Sequence, residues 1–148
     1  MAAALAVIAA LVVVPSLTAT SAVAASETSG PKSEAYSPAR LDALLKEGKP
    51  VFVNLTAAWC VTCLVNEEVA LSSQSLATAF EKAGIVYLKG DWTNRDADIS
   101  KLLEQHGRAG VPLYLFYKPG QASPAILPQL LTEGIVLDAI GATSSPSS

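Results

Sequence analysis

The sequence is short of the side chains from which metal and disulfide scaffolds are built. Its 148 residues include two cysteines and a single histidine, His106. Two cysteines are too few for a disulfide-rich scaffold. Even with His106 they fall short of the four ligands that a closed structural zinc site wants. There is no basic run, and the formal net charge is -3. The electrostatic footprint of a nucleic-acid partner is therefore missing. No internal repeat is visible. Charged side chains of either sign are absent from Met1 to Ser26.

That uncharged start has two readings. Ala2 to Val14 supplies the apolar centre of a secretory signal peptide, and Ala22-Val23-Ala24 a small-x-small cleavage site, although the basic residue expected before such a centre is missing. Met1 to Ala25 is also long enough for a membrane span, which needs about 20 apolar residues. Pro15, Ser16, Thr18, Thr20 and Ser21 weaken its second half. Both readings put the rest of the chain outside the cytoplasm, where a cysteine pair can cycle between thiol and disulfide. Residues 26–35, polar with Gly30 and Pro31, read as a linker. Residues 143–148 read as a disordered tail. Residues 36–142 are left as one folded domain, long enough for a real core.

Inside that domain helices and strands alternate. Ser37 and Pro38 give an N-cap and a first helical position, Leu41, Leu44 and Leu45 an apolar face, and Gly48 a stop. The near-continuous apolar run of PVFVNLTA predicts a strand buried on both faces. A helix follows at the cysteines. SLATAFEKAG predicts another, with Leu76, Phe80 and Ala83 on one side and Gly84 as its stop. IVYLKG and VPLYLFY are further strands, and DADISKLLEQHG is a helix with Ile99, Leu102 and Leu103 inward. AILPQLL fits a short edge strand, since Pro128 excludes a central one. TEGIVLDAIG fits a last helix capped by Thr132. The alternation implies an α/β layer fold around a small sheet.

Cys60 and Cys63 lie where the first buried strand runs into a helix. Free backbone N–H groups and the positive end of the helix dipole stabilise an anion there. A thiolate is such an anion, and Cys-X-X-Cys spacing lowers the thiol pKa from about 8.5 to between about 3.5 and 7.5. Cys63, one turn on, is within disulfide reach and further inside. The spacing thus predicts an outer attacking thiol and an inner resolving thiol, with Trp59 covering the site. Other uses of the pair are weaker. A structural disulfide would close a loop of only about four residues and gain little loop entropy. Haem attachment needs a histidine where Leu64 stands. Copper or zinc would have to borrow His106 or carboxylates.

The segments NLTAAWCVTCLVNE, YLKGDWTNRD and HGRAGVPLYLFY resemble the thioredoxin superfamily. More closely, they resemble the C-terminal thioredoxin-like domain of DsbD- and ScsB-type thiol:disulfide interchange proteins. The resemblance covers about residues 36–142. It implies a thioredoxin fold, a central mixed sheet flanked by helices. It also implies a protein-disulfide reductase that takes electrons from a membrane-embedded donor domain of DsbD type and passes them to thiol-disulfide partner proteins. Such a protein needs no cofactor or metal beyond its Cys60–Cys63 disulfide, and it works on the periplasmic side, membrane-anchored or secreted. Met1 to Ala25 would then be the last span of such a protein. The chain would be either a fragment or a separate subunit. Cys60 matches the nucleophile, Cys63 the resolving cysteine, and Pro112 the cis-proline that holds the Val111 backbone beside the disulfide for substrate. One departure stands out: the position six before the first cysteine, usually a buried Asp, is Asn54, which cannot take up a proton.

That loss turns attention to Glu67. At about 100° per residue, Cys63 lies about -60° from Cys60, Glu67 about -20° and Glu68 about 80°. Glu67 is therefore expected to be partly buried on the cysteine face, with burial raising its pKa, and to exchange a proton with the resolving thiol. Glu68 is expected in solvent. Asp91, Trp92 and Thr93 either line the site rim or form a plain turn. His106 reads as a histidine favoured by the C-terminal end of a helix. The runner-up function is a non-catalytic thioredoxin-like binding module whose disulfide only holds the fold. Val61-Thr62 has no histidine to stabilise a thiolate strongly, which favours a reductant.

Overall fold

The structure is a computed structural model, and it describes residues 29–142. The readings of Met1 to Ala25 and of residues 143–148 fall outside the described residues. Ten elements follow in order: β1 (Ser33–Ala35), α1 (Pro38–Lys46), β2 (Val51–Thr56), α2 (Val61–Val69), α3 (Gln74–Ala83), β3 (Val86–Asp91), α4 (Ala97–Gln105), β4 (Leu113–Tyr117), β5 (Ala125–Ile126) and α5 (Glu133–Ala139). The strands form one sheet in the order β1-β3-β2-β4-β5. β2 pairs parallel with β3 and antiparallel with β4, so the sheet is mixed.

Side chains alternate across a strand, and that period divides the core in two. Val51, Val53 and Leu55 of β2 join Leu88, Leu113 and Leu115 under α1 and α4. Phe52 joins Tyr87, Tyr114 and Phe116 under α2, α3 and α5. The helices end where their caps say. Ser37, Ser73, Asp96 and Thr132 each accept a backbone N–H of the first turn. Gly84 closes α3 in the left-handed conformation, with φ 64°.

Two sequence expectations change, and a third is narrowed. The segment read as a linker supplies β1, whose Ser33, Glu34 and Ala35 pair parallel with Tyr87, Leu88 and Lys89. All three β1 residues are exposed, so no apolar pattern announces this strand. The chain before it is held close: a Cβ on the buried Gly30 would stand 2.1 Å from the Leu71 carbonyl oxygen. On α3, Leu76 and Phe80 are buried as expected, but Ala77 completes the inward face and Ala83 is exposed. Ala83 is the last residue of α3, and its side chain extends past the packed part of the face. AILPQLL contributes only Ala125 and Ile126 as strand, at the sheet edge.

Candidate active site

Thr56 ends β2, and α2 starts at Val61. The four residues between them carry the site. Cys60 is the N-cap of α2, and its Sγ accepts the backbone N–H of Cys63 at 3.2 Å. The two sulfurs are bonded, with the Cα atoms 5.2 Å apart, inside the ordinary range for a disulfide. Cys63 is wholly buried and Cys60 is 7% exposed. The order of burial is the expected one: Cys60 is the less buried of the two. Ala57 and Val111 pack against the pair. The Val111–Pro112 peptide is cis, as the resemblance implied, and it opens into β4.

The loop after β3 braces the motif from one side. Ala58 N–H donates to Thr93 Oγ1 at 2.8 Å, and Trp59 Nε1–H donates to the Thr93 carbonyl at 3.1 Å. Asp91 takes the Thr93 backbone N–H at 2.9 Å and also its hydroxyl. These bonds hold the Asp91 carboxyl below its ordinary pKa. Trp92 is buried, and its ring centroid lies 6.0 Å from that of Trp59. Asp91, Trp92 and Thr93 are thus a bracket for the cysteine loop rather than a bare turn. Trp59 itself is 53% exposed, and its contacts run toward this bracket.

Beneath α2 lies a polar layer. Asn66 is 2% exposed and fully engaged. Its Nδ2 donates to the Tyr114 hydroxyl at 2.9 Å and to the Gln129 carbonyl at 2.6 Å, and its Oδ1 accepts Leu131 N–H at 3.1 Å. Asn54 is also wholly buried, but among the described residues its only side-chain hydrogen bond runs from Nδ2 to the Tyr87 hydroxyl at 2.9 Å, and its Oδ1 has no partner there. Burial pushes Tyr114 up to about 12 and Tyr87 higher still, so both phenols are neutral at any working pH.

Glu67 is half-buried and Glu68 is exposed, as their helical angles foretold. Lys89 Nζ stands 2.9 Å from Glu67 Oε1. That oxygen has no aligned hydrogen bond, so the contact is an ion pair in distance without hydrogen-bond direction. Glu67 and Lys89 line a cleft of about 410 Å³ that also touches Ala57, Ala58, Leu64 and Asp91. His106 caps the C-terminus of α4, but burial draws its pKa down. Among the described residues no three His, Cys, Asp or Glu side chains converge on a metal position.

Sequence reasoning missed Asn66, Lys89 and the bracing role of Thr93. A signal for Asn66 did exist: it follows the buried Cys63 by three residues, on the same helix face. Nothing local marks Thr93 or Lys89, whose partners lie on other elements.

A family model described as thioredoxin-like matches residues 32–119. The thiol:disulfide interchange protein DsbD of Yersinia enterocolitica is 35% identical over 80 residues, which cover 53% of this chain and 14% of that protein. DsbD 1 of Pseudomonas aeruginosa is 33% identical over 87 residues, covering 56% and 14%. The chain therefore spans about one seventh of the length of these relatives. Among solved structures, the reduced C-terminal domain of Neisseria meningitidis DsbD superposes with a TM-score of 0.58 at 20% identity, covering 71% of this chain and 95% of that one. A thioredoxin from Thermus thermophilus gives 0.60 at 17% identity, covering 76% and 85%. These likenesses show the fold: a five-stranded mixed sheet between helices, as in thioredoxins.

Proposed function

We propose, from the premise that this chain belongs to the thioredoxin-like family, that its Cys60–Cys63 pair is the working centre of a thiol:disulfide oxidoreductase. The carrying observation is a disulfide whose first sulfur caps the N-terminus of α2 and belongs to the less buried of the two cysteines. In the reduced protein the Cys60 thiolate attacks one sulfur of a partner disulfide. A mixed disulfide forms, and the partner's other sulfur leaves as a thiolate and takes a proton. Cys63 gives up its proton and attacks Cys60 Sγ, which restores the Cys60–Cys63 bond and releases the partner's second thiol. Two electrons have then passed to the partner. A protein dithiol restores the reduced form by the reverse exchange.

The direction we assign is reduction, because the helix-start pair has no histidine between its cysteines. The relatives named thiol:disulfide interchange proteins support the exchange chemistry, and to it we add an extracytoplasmic location and a membrane donor domain, as the resemblance to DsbD-type proteins implies. The uncharged Met1 to Ser26 supports the same location. Among the described residues no helix is long and apolar enough to cross a membrane. The Val111 backbone beside the sulfurs and the half-exposed Trp59 form the substrate-facing rim. Glu67 is the group we assign to hold the Cys63 proton. It is the carboxylate on the cysteine face of α2, and Asn54 below has none to offer.

A redox titration of the pair against glutathione tests the assignment. The expected potential lies nearer about -270 mV than about -120 mV, and a value above about -150 mV contradicts reduction. A pair that neither reduces nor exchanges in the native protein would leave the non-catalytic binding module as the reading. Stopped-flow exchange tests Glu67: Glu67→Gln should slow release of the mixed disulfide while leaving the attack of Cys60 unchanged. Identical release rates for Glu67→Gln and the parent chain at every pH tested would remove it.

A further inference from the structure

Outside the site, the outer face of α2 carries the most unusual surface. Val61, Val65 and Val69 are 73%, 50% and 61% exposed, and Leu64 beside them is 50% exposed. Valine is a poor choice for an exposed helical position, because its χ1 freedom is lost there and no burial compensates. The three valines recur at four-residue spacing, so they form one stripe. From Val61 to Val69 it runs about 12 Å along the helix axis at 1.5 Å per residue. The loop after β5 carries a further exposed apolar side chain. Leu130 is 70% exposed, and both of its neighbours are bonded to Asn66, through the Gln129 carbonyl and the Leu131 N–H. Val69 follows Asn66 by less than one turn, about 60° around the helix. A buried side chain thus spends all three of its bonds fixing α2, β4 and the loop that presents an exposed leucine.

The stripe starts at the residue after Cys60, so it is continuous with the face that any exchange partner must cover to reach that sulfur. The geometry points to an extended partner-docking surface along the outer face of α2, made by Val61, Leu64, Val65 and Val69, for a protein whose reactive disulfide is flanked by an uncharged apolar strip. This inference rests on the oxidoreductase reading. It adds a means of choosing partners: the rim at Trp59 and Val111 meets the sulfur, and the α2 stripe selects what lies about 12 Å beyond it. The proposed occupant is that partner, ahead of a second copy of this chain or a lipid surface, because the stripe is joined to the reactive sulfur.

The test uses two synthetic helical peptides of about four turns. Each has one cysteine near its end, held as a mixed disulfide with thionitrobenzoate. One carries leucines on the cysteine face and the other carries glutamines there. The reduced chain attacks the peptide disulfide, thionitrobenzoate leaves, and Cys63 then frees the peptide thiol, so the thionitrobenzoate colour reports the rate. We expect kcat/KM for the leucine peptide to exceed that for the glutamine peptide by about tenfold, the effect of removing two half-exposed valines from water. The double variant Val65→Gln, Val69→Gln should lose that preference while reducing hydroxyethyl disulfide at the parent rate. Both positions are already in solvent, so folding is not at stake. Equal rates for the two peptides, or a preference that survives the double variant, overturn the docking surface. So does sedimentation showing a dimer, or flotation with phosphatidylethanolamine–phosphatidylglycerol vesicles, that only the parent chain displays. Failure to reduce hydroxyethyl disulfide at all would instead overturn the oxidoreductase reading.

Discussion

The two faces of the sheet are built from the same strands and do different work. Under α1 and α4 the core is a run of leucines and valines closed by Ile99, Trp92 and Tyr117. Under α2, α3 and α5 it begins as an aromatic cluster, with Phe52 5.4 Å from Phe80 and 5.5 Å from Tyr87 by ring centroids. It then turns polar toward the disulfide. Along β2 the residues on that face read Phe52, Asn54, Thr56, while the opposite face reads Val51, Val53, Leu55. All six are buried. The apolar face needs only volume and shape, which many residues supply. The polar face needs specific partners, because a buried amide or phenol left unpaired is costly. Chemistry and hydrogen-bonded positioning are concentrated on that face, and cohesion on the other.

The largest expected effect falls on the apolar face. Leu115 is fully buried there, so Leu115→Ala should cost about 2–5 kcal/mol in urea unfolding of the oxidised protein. The disulfide potential should stay at the parent value. A shifted potential would show that the two faces are coupled and would break the comparison.

On the polar face, Asn66→Leu keeps the branched shape but strands the Tyr114 hydroxyl, the Gln129 carbonyl and the Leu131 N–H. It should cost about 1–3 kcal/mol. Exchange with protein disulfides should slow more than exchange with a small disulfide, since the Leu130 loop is released. Asn54→Leu should be much milder, within about 1 kcal/mol. Among the described residues the Asn54 side chain makes one hydrogen bond and its Oδ1 makes none, so the substitution strands only the Tyr87 hydroxyl and removes one unpaired acceptor. If equilibrium unfolding finds the two asparagines equally costly, hydrogen-bond satisfaction is not what distinguishes them.

The smallest effect is at the Asp91 bracket. Its carboxyl has a lowered pKa because the Thr93 hydroxyl and N–H bond its charged form. A depressed carboxyl contributes stability that is present above the unfolded pKa of about 3.9 and is lost as pH falls through the folded value. Asp91 is exposed, so the contribution is small. Tryptophan fluorescence from Trp59 and Trp92 should therefore hold constant from neutral pH down to about 4 and change only below it. Asp91→Asn should blunt that change, and a transition near neutral pH would assign it to another group.

What the sequence determined by itself was whatever rests on near neighbours. Ser37-Pro38 and Thr132 mark helix starts because a cap bonds a backbone N–H three residues on. The buried strands β2 and β4 announce themselves by continuous apolar runs, and the Cys60–Cys63 site by a spacing that a single helical turn turns into disulfide geometry. Glu67 and Glu68 were separable by helical angle alone. Tertiary structure decided the rest, because the deciding partners are distant in the chain. Asn66 finds Tyr114, Gln129 and Leu131 at separations of 48, 63 and 65 residues. Thr93 reaches back 35 residues to Ala58. β1 is a strand only because β3 offers an open edge to Ser33–Ala35, three exposed residues with no pattern of their own. A local rule sees the propensity of a segment, whereas these roles belong to pairs that exist only once the sheet has formed.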